Sequence, residues 1–133
     1  MAATIIGISS GILIIFIIGM IKQFDKRIIF GLALSAIGFL YVGFAWTNLQ
    51  ELVVNAIQAI IFLFLAYYGI KKGFHILAAG YLLHGCWDFA YHYFQDPELL
   101  PPHYDLFCLS IDFTFAAYLL FLHNRFRLKK TLN

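Results

Sequence analysis

Residues 52–73 read LVVNAIQAIIFLFLAYYGIKKG, an almost unbroken apolar run that ends at two lysines and a glycine. A helix rises about 1.5 Å per residue, so such a run spans the roughly 30 Å of hydrocarbon in a bilayer. Stretches of similar length occupy nearly all of the remaining chain. With 62% hydrophobic and 12% charged residues, a soluble protein could not cover its surface with polar groups. The sequence therefore predicts an integral membrane protein without a soluble domain.

The chain is predicted to form one all-α domain, residues 1–133, built as a bundle of five transmembrane helices. The predicted spans are 3–21, 28–46, 52–70, 74–94 and 106–122. The last connection, QDPELLPPHYD, contains all three prolines of the chain and is expected to be a structured loop. The first segment is predicted to be a span and not a cleaved signal peptide, because its basic residues follow the apolar run.

Basic residues define a predicted orientation. All nine Lys and Arg fall in alternate connections, and the other three ends carry none. They are Lys22, Lys26, Arg27, Lys71, Lys72, Arg125, Arg127, Lys129 and Lys130. Because basic residues of short loops stay on the cytoplasmic side, the N-terminus is predicted outside and the C-terminus inside. The basic inner face suits anionic lipid headgroups, so membrane lipids are expected partners and nucleic acid is not.

A G-x-x-x-G pair in the first span, Gly7 and Gly11, would let this helix pack closely against a neighbour. The neighbour is either another helix of the chain or another subunit, so a homo-oligomer is one of the predicted alternatives. Incidental glycine is the other explanation, since such pairs are frequent in apolar spans.

Ionisable side chains concentrate in the fourth span, where His84, Asp88 and His92 recur at four-residue intervals. Counted from the outer end, they lie about 15, 9 and 3 Å deep, and Asp112 of the fifth span reaches the depth of Asp88, about 9 Å. Ionisable groups at membrane depth are costly unless they are paired or hydrated, so they are functional candidates. Two carboxylates at one depth need a cation, a shared proton or water.

The third span adds Asn55 and Gln58 on one helical face, again in the outer half of the membrane. Three helices thus present polar stripes to a common region. These polar groups could line a cavity. Alternatively, they could only hydrogen-bond across helices and hold the bundle together, as buried Asn, Gln, His and Asp do in membrane proteins.

The spacing admits either a metal site or a proton relay. Residues i and i+4 can ligate one ion, whereas i and i+8 lie about 12 Å apart along a helix, so His84 and His92 cannot both bind one ion. A mononuclear site for Zn, Fe or Mn would combine Asp88 with one of these histidines and with Asp112 or His103. Two ions, or a relay from His92 through Asp88 to His84, are the alternatives.

Aromatic residues cluster around the same region. Trp46, Tyr93 and Tyr104 are interpreted as an interfacial belt. Trp87 and Tyr91 flank the polar stripe and, with Tyr41, are predicted to wall a pocket for an apolar or flat ligand.

The string LLHGCWDFAYHY (82–93), followed by a proline-bearing loop and FCLSID (107–112), resembles an uncharacterised family of small multi-span bacterial membrane proteins. That family carries an H-x-x-W-D-x-x-H-H type signature and a following C-x-x-x-D. The matching positions are His84, Trp87, Asp88, Tyr91, His92, Cys108 and Asp112. Tyr91 departs from the pattern, which has histidine there. The resemblance implies a multi-span fold in the bacterial cytoplasmic membrane and a shared site, and it implies no reaction.

Three functions follow from these residues. The first is a metal-assisted or acid/base enzyme for a lipid or other apolar small molecule that enters from the outer leaflet. Asp88 and Asp112 would hold the ion or act as acid and base, while His84 and His92 would ligate or move protons. The second is a proton- or cation-coupled transporter or channel subunit, which the apolar inner half of the spans disfavours. The third is a non-catalytic accessory subunit.

Overall fold

The computed structural model describes residues 1–94 and 101–131, apart from the side chains of His92, Phe94 and Lys130. The described residues form five helices. They are α1 (Ala2–Met20), α2 (Lys26–Phe44), α3 (Leu49–Lys72), α4 (Phe74–Phe94) and α5 (Tyr104–Thr131). The all-helical prediction is confirmed, and four of these helices, α1, α2, α3 and α5, are long and apolar enough to cross a membrane. The remaining helix, α4, has 21 residues, and its described residues do not reach the hydropathy of the other four.

Side-chain caps explain why two helices begin earlier than hydrophobicity predicts. Asn48 Oδ1 accepts hydrogen bonds from the backbone N–H groups of Gln50 and Glu51, at 3.1 and 3.3 Å. Asp25 caps α2 in the same manner. A cap satisfies backbone donors that the first helical turn leaves unpaired. The polar residues before the third predicted span therefore belong to the helix and its cap.

The last helix continues nine residues beyond the predicted end at 122, as far as Thr131. This extension is basic and contains no Gly or Pro, and Arg, Lys and Leu favour helix. Its start packs on the beginning of α4, where the rings of Phe126 and Phe74 stack 5.8 Å apart and those of His123 and His75 lie 4.8 Å apart. The predicted end at 122 is where the apolar residues stop, whereas the helix itself continues through polar residues to Thr131.

The helix α4 lies at the centre of the bundle, in contact with α2, α3 and α5. The ends of α3 and α5 and the starts of α2 and α4 form one end of the bundle, here called the basic end, since Lys26, Lys72 and Arg125 lie there. The hydrophobic core fills the half toward this end. Its large members are Phe30, Leu34, Phe62, Leu77, Tyr81, Phe115 and Leu119. The remaining half is left for polar side chains.

The helix α1 packs on α5 through two of its three glycines, Gly7 and Gly11. A Cβ atom at Gly7 would overlap Ser110 Oγ and lie 2.5 Å from the carbonyl oxygen of Phe107, and one at Gly11 would lie 3.0 Å from Thr114 Cγ2. The later glycine of α1 contacts the later residue of α5, so the two helices run parallel. The G-x-x-x-G pair thus serves a contact within the chain.

Large apolar side chains cover the outside of the bundle. Ile12, Phe64 and Phe121 are 57–59% exposed. The fully buried side chains, in contrast, include His84, Asn55 and Asp112. Apolar residues outside and polar residues inside are typical of a bundle that is surrounded by lipid.

Candidate His/Asp site

Three ionisable side chains meet between α4 and α5 in the half of the bundle away from the basic end. His84 Nδ1 lies 2.8 Å from Asp112 Oδ2 and 3.3 Å from Asp88 Oδ2. These side chains are 0–2% exposed. Ionised carboxylate oxygens only accept hydrogen bonds. The His84 nitrogen between them therefore either donates a hydrogen bond to them or, together with them, binds a cation. We call these three residues the His/Asp cluster.

Local geometry explains why the cluster forms. His84 and Asp88 are four residues apart on α4, so they share one helical face. Asp112 joins them because α5 approaches α4 closely at Gly85, where a Cβ atom would lie 3.0 Å from the ring of Phe113. A larger residue at this position would push away the segment of α5 that carries Asp112.

Tyr41 fixes the second oxygen of Asp88. Its hydroxyl donates a hydrogen bond to Asp88 Oδ1 at 2.5 Å, and its ring lies 6.1 Å from that of His84. Tyr41 is 1% exposed. A hydrogen bond to a carboxylate that water does not reach is among the strong ones. The helix α2 therefore orients Asp88 so that its other oxygen faces His84.

An aromatic layer covers the cluster on the side away from the core. The rings of Tyr41 and Tyr91 lie 4.7 Å apart, and Tyr104 lies 6.5 Å from Tyr41 and 5.5 Å from Phe44. Asn55 Nδ2 donates to the Tyr91 hydroxyl at 3.1 Å. Tyr91 is thus part of this layer and connects the cluster region to α3.

A groove of about 480 Å³ runs between α3 and α4 on the outside of the bundle. Its lining is apolar except for Gln58, and it includes Phe62 and Trp87. The Gln58 side chain is almost fully buried, and neither its Oε1 nor its Nε2 has a hydrogen-bond partner among the described residues. The Phe62 ring lies 4.7 Å from the His84 ring. One aromatic side chain therefore separates the groove from the cluster.

Among the predicted site residues, the structure brings together His84, Asp88 and Asp112, with Tyr41 attached. Asn55 and Tyr91 lie in the adjoining aromatic layer, whereas Gln58 and Trp87 line the groove. Because neighbouring residues of a helix point about 100° apart, Asp88 belongs to the cluster while Trp87 lines the groove.

One predicted ligand, His103, lies elsewhere. His103 is in the turn before α5, with a positive φ of 62°, and its side chain is exposed. It is not part of the His/Asp cluster. The side chain of His92, and with it the predicted relay, lies outside the described residues.

Phe62 is a site residue that hydrophobicity alone does not mark. It lies on α3 four residues after Gln58 and seven after Asn55, which is the spacing of a single helical face. That spacing could have identified it as the apolar continuation of the polar stripe.

The cluster could hold a metal ion. One ligand atom from each of its three residues lies within 4.8 Å of the others, and no second such group of three occurs in the described ranges 1–94 and 101–131. One imidazole nitrogen and two carboxylate oxygens suit Zn, Fe or Mn. In this structure the same atoms form the ion pairs of His84 with the two aspartates.

A protein-family model described as "Family of unknown function (DUF6010)" matches residues 2–125. No curated protein and no solved structure matches the chain. The match agrees with the expected resemblance to an uncharacterised family, while the H-x-x-W-D-x-x-H-H type signature stays a prediction.

Proposed function

We propose that the chain, which belongs to the DUF6010 family of unknown function, is a metal-assisted enzyme of the bacterial cytoplasmic membrane that acts on a lipid or another apolar small molecule. In this proposal all five helices span the membrane, with the N-terminus outside and the C-terminus inside. The alternation of basic connections supports that orientation. The central position of α4 supports its span, because its polar side chains pack among other helices.

The observation that carries the proposal is the convergence of His84, Asp88 and Asp112 at buried positions from two helices. Two buried carboxylates within reach of one imidazole exceed what helix packing requires, because removing ions from water is expensive and apolar residues pack as well. Pairs of titratable groups that face each other in a dry site are typical of acid/base and metal chemistry.

The roles of the chain's own residues follow from the geometry. His84 Nδ1, Asp88 Oδ2 and Asp112 Oδ2 would hold a divalent ion, and Tyr41 would keep Asp88 turned toward it. A bound ion supplies Lewis-acid polarisation of a substrate oxygen or an activated water. When no ion is bound, the same imidazole and carboxylates can exchange a proton as acid and base.

The groove between α3 and α4 is the proposed entry for the substrate. Its apolar lining opens on the lipid-facing side, and its volume is within the range of small-molecule sites. Gln58 offers an amide donor and an acceptor to the polar group of an otherwise apolar molecule. Rotation of Phe62 would connect that group to His84.

The packed core argues against transport. Phe30, Leu77 and Leu119 lie between the cluster and the basic end and are fully buried. A carrier needs a polar or hydrated path on both sides of its binding site. Between the cluster and the basic end, the described residues form a packed hydrophobic core in place of such a path.

The test is elemental analysis of the purified, full-length protein together with two variants. We expect about one ion of Zn, Fe or Mn per chain in the wild type and its loss in Asp112→Asn, because the amide is a poor ligand. Asp105→Asn, which removes a carboxylate of the same helix outside the cluster, should retain the ion. Helicity measured by circular dichroism checks that both variants fold.

A second measurement tests catalysis. Lipid and small-molecule extracts of cells that express the wild type should contain a species whose level differs from that in cells without the protein. Asp112→Asn should abolish this difference. A wild type without metal would refute the metal site, and extracts identical in both strains would refute the enzyme.

A further inference from the structure

A second cavity, of about 890 Å³, lies at the basic end of the bundle. It is bounded by the start of α2, the end of α3, the start of α4 and the extension of α5. Six of its lining residues are Lys or Arg. They are Lys26, Arg27, Lys72, Arg125, Arg127 and Lys129.

Among the described residues, a single carboxylate, that of Asp25, lines the same cavity. Asp25 is already engaged, because its Oδ1 accepts a hydrogen bond from the Arg27 backbone N–H at 2.8 Å and its Oδ2 lies 3.8 Å from Arg27 Nη2. The cavity therefore keeps a strong surplus of positive charge, which attracts anions.

The orientation of the protein in the membrane does not require these basic side chains to surround one cavity. Positive charge on one side of a membrane would be equally served by side chains that point in any direction. Lys22 and Lys71 show this, since neither lines the cavity, and Lys71 Nζ lies 4.5 Å over the ring of Tyr67. Six cations from three helices around one space indicate a site.

Aromatic contacts hold the cationic extension in place. Phe126 stacks on Phe74, and Arg125 and Lys129 lie one helical turn apart on the same part of α5. The start of α4 adds to the field, because Gly73 and Phe74 line the cavity and a helix N-terminus carries partial positive charge. Backbone and side chains thus favour an anion at the same place.

We propose that this cavity binds the phosphate group of an anionic ligand, and that the ligand is the headgroup of an anionic phospholipid. Lys and Arg are the side chains that bind phosphate in proteins. Basic pockets between membrane helices are suited to such headgroups. The site lies at the opposite end of the bundle from the His/Asp cluster, so it is independent of the function proposed above.

The test measures binding by native mass spectrometry of the full-length protein in detergent. The probes are dioctanoyl phosphatidylglycerol, dioctanoyl phosphatidylcholine and glycerol 3-phosphate. We expect phosphatidylglycerol to bind more tightly than phosphatidylcholine. The double variant Arg125→Gln/Lys129→Gln should weaken the binding of phosphatidylglycerol about 25-fold, since each basic residue contributes about fivefold near a lipid surface.

The matched control is Lys22→Gln/Lys71→Gln, which removes the same charge outside the cavity. It should bind phosphatidylglycerol like the wild type. If glycerol 3-phosphate binds as tightly as the lipid and is lost in the first variant, the phosphate site stands and the lipid assignment is overturned. Absence of binding by both phosphatidylglycerol and glycerol 3-phosphate, or equal weakening in both double variants, overturns the site.

Discussion

The packing of α1 on α5 makes a sharp prediction for Gly7→Ala. The added methyl carbon would lie 2.5 Å from the carbonyl oxygen of Phe107, where an ordinary contact is 3.4 Å or more. A carbonyl of the helix backbone cannot rotate away, so the two helices must separate by nearly 1 Å. The methyl also meets Ser110 Oγ, which donates to that carbonyl at 2.9 Å. Overpacking of this kind costs about 1–3 kcal/mol.

The same helix provides the matched control. A methyl group at Gly19 would have no atom within 4 Å, so Gly19→Ala changes only helix propensity. Alanine is favoured over glycine in a helix by about 0.5–1 kcal/mol, and this gain is common to both variants. We therefore expect Gly7→Ala to be less stable than Gly19→Ala by about 1–3 kcal/mol.

The measurement is the free energy of unfolding in mixed micelles, titrated with sodium dodecyl sulfate and followed by circular dichroism. Subtracting the free energy of unfolding of one variant from that of the other cancels the contribution of helix propensity. If Gly7→Ala is as stable as Gly19→Ala, the close contact between α1 and α5 is not present in the protein, and the reasoning fails.

Two further contacts, the hydrogen bond from Tyr41 to Asp88 and the Asn48 cap, are tested by the same titration. Tyr41→Phe keeps the ring but removes the hydrogen bond to Asp88, and we expect it to cost about 1.5–3 kcal/mol, against about 0.5–1.5 for Tyr81→Phe, whose hydroxyl donates to a neutral carbonyl. Equal losses would show that Asp88 is not a charged acceptor. Asn48→Ala removes the cap of α3 and should cost about 1 kcal/mol, whereas Asn48→Asp, which retains a capping oxygen, should cost less. Equal losses for both Asn48 variants would argue against the cap.

Hydrophobic patterning predicted the helices because lipid imposes a length on each apolar run. The run from residue 52 and the lysines that end it correspond closely to α3. Patterning failed at helix ends that extend past the apolar residues, at Asn48 and in the extension of α5. There, hydrogen-bond caps and helix propensity determine the boundary, and both act on polar residues that a hydropathy profile assigns to loops.

Part of the His/Asp cluster could also be predicted from the depth of each residue in its span. Counting along two antiparallel helices suffices to place Asp88 and Asp112 at one level. It cannot give the rotation of one helix against the other, which depends on close contacts such as that at Gly85. For the same reason the hydrogen bond from Tyr41 and the position of Phe62 in front of His84 emerge only in three dimensions.

The central position of α4 has a consequence for how the protein is made. This helix falls short of the hydropathy that the other four reach, and a lone Asp in a span opposes insertion, by up to about 2.5–3.5 kcal/mol at the helix centre. Its partner Asp112 is carried by α5, which follows α4 in the chain. We expect α4 to enter the bilayer securely only together with α5. The emergence of α5 would then decide whether α4 is retained in the bilayer or the chain is degraded.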